Sequence, residues 1–477
     1  MNKARIAVST LVTLAVAGTA GAWYTGTQLE GVLQTSIERG NQQLRAQFPD
    51  TAVALELAGF ERGFFSSQAR YRVVLQAAED DNVGVDLFVT DRIEHGPLPL
   101  SRLASFQWFP VMAVSHAQLE PSEQLAGLFA ASAGRPPVSV LSNIGYGNSV
   151  YGELEVAPLS WTSERGSSVS FSGLAAVYET DTAGDAVKLN GRVDSMELKG
   201  RPGLPDSGVS LVGWDMSVDR QRDASGIYLG SSRGELDQFV LAVNGMSPLI
   251  LTEVLQSDLV TLDTDGANMA MNYRIGAVNY GADKLGSMEL GLTASRLDPQ
   301  AIQKLTGLYG NVMFSDIASL DGQLDTLAAQ LQEAAEQLLD GHPRLSLDNL
   351  AIKTANGESR LSLGVDLERP ASLELATEKL IPQLIRHLDA KLVLSKPMLK
   401  DVVRYKALFD PSLDRQAVEQ EAAMAVEMAG AMAEMLQLGR VDGDNIISQL
   451  SYDNGAVLFN GQAMELEELM GVLGGTR

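Results

Sequence analysis

The sequence predicts an α+β protein: one N-terminal membrane helix, then an elongated, mainly antiparallel β-sheet body with packed helices, helix-richer toward the C-terminus. Three observations predict this. An uncharged stretch opens the chain, apolar and polar residues alternate from about residue 52 to residue 295, and both periods mix beyond residue 321. A period of two is typical of strands and a period of 3.6 of helices. We therefore divide the chain into a membrane helix (1–26), an amphipathic stalk helix (27–49), a β-rich lobe (50–320) and an α+β lobe (321–477).

Composition excludes several classes of protein. The 477 residues include 60 acidic and 36 basic side chains, which gives a net charge of −24. Such a chain repels phosphate backbones, so nucleic acid is excluded as a partner. It has no cysteine, which excludes disulfides, thiolate nucleophiles and Cys-ligated metal centres. His-Glu-x-x-His, Gly-x-Ser-x-Gly and phosphate-loop motifs are absent too, so we expect no catalytic residue, no metal and no cofactor.

The uncharged stretch predicts a membrane anchor. Its 24 residues, 6–29, would reach about 36 Å as a helix, enough for a hydrocarbon core of about 30 Å. Lys3 and Arg5 precede it, which keeps the start cytoplasmic and places the bulk in the periplasm. A cleaved signal peptide ending at Ala20-Gly21-Ala22 is the alternative; we favour the anchor because two aromatic residues follow, as at a membrane interface. The predicted anchor residues are Ile6, Leu11, Val12, Leu14, Val16, Trp23 and Tyr24.

A stalk helix is predicted directly after the anchor. Apolar residues recur there at helical spacing between charged residues, and Pro49 ends the pattern. We expect this helix to dock on the exported body. The apolar positions are Leu29, Val32, Leu33, Ile37, Leu44 and Phe48.

Alternating runs predict the sheet. One pair of runs flanks residues 60–67 as a hairpin, and others lie around residues 212–218, 269–275 and 288–292. Gly-rich and Asp-rich breaks separate the runs at spacings typical of antiparallel strands. Alternation predicts one apolar face and one wetter face.

The C-terminal third mixes helices with hairpins. Asp298-Pro299 places an N-cap before a proline that opens a helix, and further helices are predicted from Leu324 and from about residues 415 to 438. Asn356-Gly357 and Asn454-Gly455 predict two hairpin turns. His387 is placed near a helix end, where its charge would complement the helix dipole.

Two groups of apolar residues are candidates for lining a site. Trp214 and Met216 lie on a predicted strand, and a stripe of methionines lies on one face of the last long helix. Thioethers pack well against irregular apolar partners, but a stripe at helical spacing also suits a core. We predict a packed core at Met428 and leave Trp214 open between core and groove. The stripe consists of Met424, Met428, Met432 and Met435.

Polar candidates are weaker. His95 lies in a loop that two prolines stiffen, which favours a structural turn over a catalytic base. Residues 263–266 and 442–445 resemble fragments of calcium loops, but neither continues to the closing Glu that such a loop requires. We interpret both as acidic turns.

Three N-terminal segments carry most of a family resemblance: residues 21–26 (GAWYTG), 60–67 (FERGFFSS) and 95–100 (HGPLPL). Residues 350–358 and 452–461 fit it too. They resemble the YdgA-like family of Gram-negative envelope proteins. The resemblance implies a single-span inner-membrane protein with a periplasmic bulk and no established activity, so no catalytic residue is carried over. The family-like positions are Phe60, Arg62, Gly63, Phe64, Ser66, His95, Gly96, Pro97 and Pro99.

Two functional hypotheses follow. The first is a membrane-anchored, non-enzymatic envelope protein whose sheet binds an apolar, lipid-like ligand or supports envelope maintenance. The second is an interaction protein that regulates another envelope complex through its stalk helix and acidic surface. An enzyme ranks third. The sequence does not define the oligomeric state.

Overall fold

The computed structural model describes residues 26–27, 29–42, 52–76, 84–201, 207–314, 324–373, 375–410, 412–466 and 468–469. The predicted anchor residues and the end of the predicted stalk, 43–49, lie outside these ranges. Within them, no helix combines the length and the apolar composition that crossing a bilayer requires.

In the described ranges, twenty-two strands form one sheet. They are β1 Ala52–Arg62, β2 Ser66–Gln76, β3 Gly84–His95, β4 Ala113–Leu119, β5 Val138–Ile144, β6 Ser149–Val156, β7 Leu159–Thr162, β8 Ser168–Phe171, β9 Leu174–Asp181, β10 Ala186–Lys199, β11 Gly208–Arg222, β12 Tyr228–Ala242, β13 Leu249–Asp263, β14 Gly266–Tyr280, β15 Asp283–Leu297, β16 Arg344–Lys353, β17 Glu358–Leu367, β18 Ile385–Ser395, β19 Arg440–Asp442, β20 Asn445–Asp453, β21 Ala456–Phe459 and β22 Gln462–Met464.

The helices are interspersed among these strands. They are α1 29–42, α2 Leu100–Ala104, α3 Ala126–Ala131, α4 Pro299–Phe314, α5 Leu324–Asp340, α6 Thr377–Leu384, α7 Lys396–Phe409 and α8 Arg415–Met435. The α+β class and the antiparallel sheet body are confirmed. The helix-richer C-terminus stays a prediction.

The sheet is a meander in which every pairing is antiparallel. Each strand pairs with the next along the chain, with two exceptions. The β7–β8 hairpin is inserted between β6 and β9, and β8 continues the line of β9 along β10. Strand β18 pairs with β20, whose other side pairs with both β19 and β21. The predicted lobe boundary near residue 321 lies outside the described residues, and β15 and β16 pair on either side of it. The predicted hairpins at residues 356–357 and 454–455 both form.

Register keeps the apolar side chains together on one side, which we call the apolar face. Directly opposed residues of antiparallel strands share a face. One continuous row crosses seven strands: Val193, Trp214, Leu236, Val254, Ile275, Met288 and Ile352. The adjacent row on the other face is mostly charged: Arg192, Asp215, Glu235, Leu255, Arg274, Glu289, Ala351 and Arg360. The predicted one-sided sheet is confirmed.

A line of irregular residues crosses the centre of the sheet beside the apolar row. These residues lack a ladder partner, and two of them, Gly213 and Glu253, have positive φ angles of 66° and 53°. Beyond the line, the next apolar row lies three residues along each strand instead of two. One extra residue at the same level of five strands acts as a coordinated bulge, which keeps apolar side chains on one face. The line consists of Asp194, Gly213, Asp237, Glu253 and Gly276, and the next row of Met196, Leu211, Phe239, Leu251 and Val278.

Helix α1 covers the first strands of the apolar face. Its Leu29 is buried against Ala69, Ile93 and Ala113 of β2, β3 and β4. The Asn41 side chain bonds both backbone groups of Leu55 in β1, at 2.8 Å each. Residues 36–42 also line a cavity of about 590 Å³ with the β9–β10 turn. Strands β1 and β9 are six strand spacings apart, about 29 Å in a flat sheet. Because α1 reaches both, the sheet curls around the helix.

Other helices cover the two ends of the central strands. Ile302 of α4 and Leu338 of α5 pack on the cluster of Ile227, Ala267 and Leu297. At the opposite end, Phe409 of α7 contacts Tyr280 (ring centroids 4.7 Å apart), and Tyr405 donates a hydrogen bond of 2.6 Å to the Leu285 carbonyl. Between these ends, large side chains of the apolar face such as Trp214 and Tyr273 remain exposed.

His387 does not cap a helix, so that prediction is wrong. It lies within strand β18, with Nε2 2.5 Å from Asp389 Oδ2. The helix that precedes it, α6, ends at Leu384, and the chain continues as a paired strand. The Asp298 cap is confirmed, because its Oδ1 accepts a 2.8 Å hydrogen bond from the Ala301 backbone.

Asp401 of α7 holds the β16–β17 turn. Its carboxylate accepts hydrogen bonds from Thr354 Oγ1 (2.6 Å), the Asn356 amide group (2.8 Å) and the Asn356 backbone (3.2 Å), and the residue is buried. Burial tends to raise the pKa of Asp401, but these hydrogen bonds outweigh it and lower the pKa below its usual range. The helix and the hairpin are thus joined through one ionised carboxylate.

We predict that Asp401→Asn lowers the free energy of unfolding by about 1–3 kcal/mol at pH 7, because it leaves buried donors without a charged acceptor. A depressed native pKa contributes stability that is present above the unfolded value of about 4 and lost as the pH falls through the native value. Urea melts at pH 7 and pH 3 should therefore show a difference that shrinks in acid. The exposed control Asp442→Asn should change little at either pH. A pH-independent difference would contradict the assignment.

Candidate functional site

The middle of the apolar face is open to solvent. Four of its large side chains are at least one-third exposed: Trp214 (41%), Tyr273 (37%), Ile352 (40%) and Leu392 (36%). They belong to strands β11, β14, β16 and β18, so the opening spans most of the central sheet. We call this stretch the open apolar face. Scattered exposed hydrophobics are normal on proteins, whereas a contiguous register-aligned set marks a binding surface.

The two residues predicted to line a site on the sheet, Trp214 and Met216, lie on a strand, as the sequence predicted. Trp214 and Met216 occupy the apolar face of β11, and Met216 packs beside Gly191 of β10. A side chain at Gly191 would crowd both Met216 and Ala176, at 3.2 Å each. The glycine therefore lets the larger neighbours fill that level of the face. These contacts describe position and leave the lining role a prediction.

The methionine stripe does not form a packed core, so that prediction is wrong. Helix α8 packs against α7 and β19 through small residues, and its buried positions are Val418, Ala422, Gly430 and Ala433. Small side chains allow close approach on that side and leave the longer thioethers outside. The methionines Met424, Met428, Met432 and Met435 are 61%, 60%, 47% and 73% exposed. The structure does not bring them together with Trp214.

A polar cluster interrupts the apolar face toward the end covered by α4 and α5. Asp258 is buried and forms an ion pair with Arg220. It also accepts hydrogen bonds from Ser232 and from Gln256 Nε2, the latter at 3.1 Å. Such partners offset the cost of removing a carboxylate from water. The cluster gives the otherwise apolar surface one polar end, and no sequence pattern indicated it because its members lie on three strands.

The family-like residues converge at one end of the sheet, where they hold the start of α1. Ser67 Oγ and His95 Nε2 are 2.8 Å apart, and His95 Nδ1 is 3.2 Å from the Phe64 carbonyl. Since a carbonyl only accepts, Nδ1 donates, and in the neutral ring Nε2 accepts from the Ser67 hydroxyl. The ring also lies directly against Gly26, where a Cβ atom would approach its Cε1 to 2.5 Å.

This Ser–His pair differs from a catalytic pair in two ways. Ser67 and His95 are only 1% and 2% exposed, and a backbone carbonyl occupies the place where a carboxylate would orient the base. The geometry fits a structural clamp. The segments 60–67 and 95–100 marked both residues in the sequence, but residues 28 positions apart could not be paired from sequence alone.

The remaining family-like residues shape the same end. Phe60 packs on the α1 cluster, whereas Arg62 and Phe64 are exposed. The Gly63 amide donates to the half-buried Ser66 carbonyl at 2.9 Å. Gly96, Pro97 and Pro99 turn the chain after β3, with a cis peptide bond between Gly96 and Pro97; a Cβ at Gly96 would lie 1.8 Å from the Val111 carbonyl oxygen.

Asp91 adds a second polar group beneath α1. It accepts hydrogen bonds from Ser115 (2.8 Å) and Tyr71 (3.2 Å). Burial raises the pKa of Asp91 against the lowering effect of these hydrogen bonds. Burial and the neighbouring Asp91 also raise the pKa of Tyr71. The cluster is enclosed by the sheet and α1, so it belongs to the packing of the helix.

Residues 263–266 and 442–445 both form tight hairpin turns. Asp263 Oδ1 accepts from the Asp265 backbone at 2.8 Å, and Asp442 pairs with Asn445 across the β19–β20 turn. The interpretation as acidic turns is confirmed. In the part of the chain that the structure describes, no three His, Asp or Glu side chains converge as metal ligands.

The fold and the open face define the class: a one-sided antiparallel sheet protein with a helix clamped at its start. The chain belongs to the family described as "Bacterial protein of unknown function (DUF945)", whose model matches residues 1–467. It is 27% identical to Protein YdgA of Escherichia coli (strain K12), over 99% of this chain and 97% of that protein. It is 25% identical to the uncharacterized protein YihF of the same strain, over 97% of each. The resemblance drawn from the three motifs is confirmed.

A shorter similarity joins an uncharacterized protein of Haemophilus influenzae, 22% identical over 65% of this chain and 86% of that protein. No solved structure matches the chain.

We predict that Gly26→Ala lowers the free energy of unfolding by about 1–3 kcal/mol, because its Cβ would overpack the His95 ring. In a His95→Ala background the same change should be harmless. Gly31→Ala is the matched control: its Cβ would meet nothing within 4 Å, so helix propensity should stabilise the chain by about 0.5–1 kcal/mol. Urea melts of the four variants measure this. Equal effects of Gly26→Ala in both backgrounds would show that the two residues do not touch.

Proposed function

We propose that this chain is a single-span, inner-membrane-anchored envelope protein, with its bulk in the periplasm, that shelters an apolar, lipid-like ligand on the open apolar face. The observation that carries the proposal is the continuous apolar row through Trp214 and Ile352, whose side chains are 41% and 40% exposed. Removing such a surface from water is favourable at roughly 25 cal/mol per Å², so an occupant gains by binding it.

The chemistry of the face favours a lipid over a folded partner. Its row of aliphatic and aromatic side chains offers few directional groups, and the central strands are paired on both sides, which leaves no edge for strand addition. From β10 to β18 the face spans nine strands and is about 38 Å wide, whereas the acyl chains of one membrane leaflet are about 15 Å long. The surface has room for more than one acyl chain.

The Arg220–Asp258 cluster supports an amphiphile rather than a plain hydrocarbon. It lies on the apolar face itself, within the same strands as Trp214 and Val254. A ligand with acyl chains along the open face would find a polar neighbour for its polar end there. The predicted membrane helix, residues 1–26, would hold the face close to a lipid source.

The test uses two exposed aliphatic residues on opposite faces. Ile352 lies on the apolar face and is 40% exposed; Leu259 lies on the other face and is 48% exposed. Full-length Ile352→Lys and Leu259→Lys are purified in the same detergent, and co-purifying phospholipid per chain is measured by mass spectrometry. Lipid bound around the anchor is common to both, so the difference reports the face.

We expect Ile352→Lys to retain less lipid than the native chain and Leu259→Lys to retain as much. Both should stay within about 1 kcal/mol of native stability, since neither residue is buried. Equal retention in both variants would refute the ligand proposal. A regulatory interaction protein, the second hypothesis, would then be the better account.

A further inference from the structure

Six exposed apolar side chains, five of them aromatic, lie together at one end of the sheet. Phe106, Trp108 and Phe109 are 80%, 64% and 84% exposed, Leu100 is 64% exposed, and Phe64 and Phe65 are about half exposed. We call these six residues the aromatic end patch. Exposed aromatics in this number are unfavourable in water and mark a surface with a partner.

Two connections that start from neighbouring strands carry the patch. The β1–β2 turn holds Phe64 and Phe65, whose rings meet edge to face at 4.8 Å. The β3–β4 connection holds the other four, and the Phe106 and Trp108 rings lie 6.5 Å apart. The backbone of His95 donates to the Phe65 carbonyl at 2.8 Å, which joins the two connections.

The patch is held in place rather than loosely exposed. Arg102, only 6% exposed, donates to Asn143 (2.7 Å), Tyr151 (2.7 Å) and the Phe109 carbonyl (3.3 Å). Phe106 adopts the left-handed backbone region, with φ of 56°, which is rare for a bulky residue. A strained residue that points an aromatic ring into solvent indicates a functional constraint.

Charge distinguishes this end from the rest of the chain. No Asp or Glu occurs between His95 and Leu119, although 60 of the 477 residues are acidic. Arg102 is the one Lys or Arg in that segment. The remainder of the surface repels an anionic lipid headgroup, whereas this segment does not.

We propose that the aromatic end patch docks on the surface of the bilayer that holds the anchor. The inference rests on the proposed anchoring. Gly26, which lies within the uncharged stretch 6–29, contacts His95, so the described chain begins beside the patch. A bilayer that contains the preceding residues lies at that end. Phe and Trp side chains partition into the headgroup–acyl boundary, to a depth of about 5–10 Å.

Docking at this end would fix the orientation of the sheet relative to the membrane. The first strands, with α1, would stand at the surface, and the open apolar face would extend away from it. Lipid leaving the bilayer would then meet the strands that α1 covers before it reached the open apolar face.

The absence of cysteine makes the test clean, because a single introduced cysteine is the one labelling site. Gln107, exposed between Phe106 and Trp108, is changed to Cys and labelled with an environment-sensitive fluorophore. The control is Asp265→Cys at the β13–β14 turn, which lies eight strands away from the β3–β4 connection, about 38 Å along a flat sheet. Full-length chains are reconstituted into vesicles of phosphatidylethanolamine and phosphatidylglycerol with brominated acyl chains, and flotation confirms incorporation.

We expect brominated lipid to quench the label at position 107 about tenfold more than the label at position 265, since only the first reaches the acyl boundary. Adding Phe106→Ser and Phe109→Ser should abolish this quenching while the chain still floats. A floating chain whose label at position 107 is quenched by aqueous iodide and not by lipid overturns the docking and leaves the anchor intact. Protection from both quenchers would show that protein, from the same chain or a second copy, covers the patch, and it also overturns the docking. A chain that does not float overturns the anchor together with the docking.

Discussion

Cross-strand register is the constraint on which the rest of this structure depends. Because the pairings are antiparallel and β10, β11 and β12 keep a constant register, residues such as Val193, Trp214 and Leu236 align across the strands and place their side chains on one side. That alignment creates an apolar face far larger than any one helix can cover. Different helices cover different parts of this face. Helix α1 covers the first strands, α4 and α5 cover one end of the central strands, and α7 covers the other end. What they leave uncovered is the candidate site.

The coordinated bulge shows how the sheet keeps this alignment over long strands. At this level each of two acidic side chains lies against a glycine of a neighbouring strand: a Cβ at Gly213 would lie 2.0 Å from the Asp237 carboxylate, and one at Gly276 would lie 2.5 Å from the Glu253 carboxylate. The glycines make room for the carboxylates, and the carboxylates occupy the one irregular level of the sheet. A bulge in a single strand would have shifted register against its neighbours, whereas one in five strands preserves it.

Local signals predicted much of the fold, and non-local contacts account for what they missed. The Asn356-Gly357 and Asn454-Gly455 turns and the Asp298 cap each depend on adjacent residues, so the sequence indicated them directly. His387 was misplaced because its strand follows α6 without a break. The methionine stripe was misplaced because alanine and glycine on the opposite side of α8 decided which face packs. The Ser67–His95 clamp and the Asp401 junction join residues that lie 28 and 47 positions apart in the sequence. The three-residue spacing at the bulge can be recognised only after five strands have been aligned with one another.

A lipid-binding role for the open apolar face requires that lipid contacts one face of the sheet and not the other. Tyr273 and Arg274 are both exposed, adjacent in β14 and directed to opposite faces. A photo-crosslinking amino acid placed at each position in the full-length chain, irradiated in intact cells and followed by mass spectrometry of adducts, compares the faces directly. Lipid adducts at position 273 and none at position 274 are the predicted result. Equal lipid adducts at both positions, or protein adducts alone at position 273, would contradict the account.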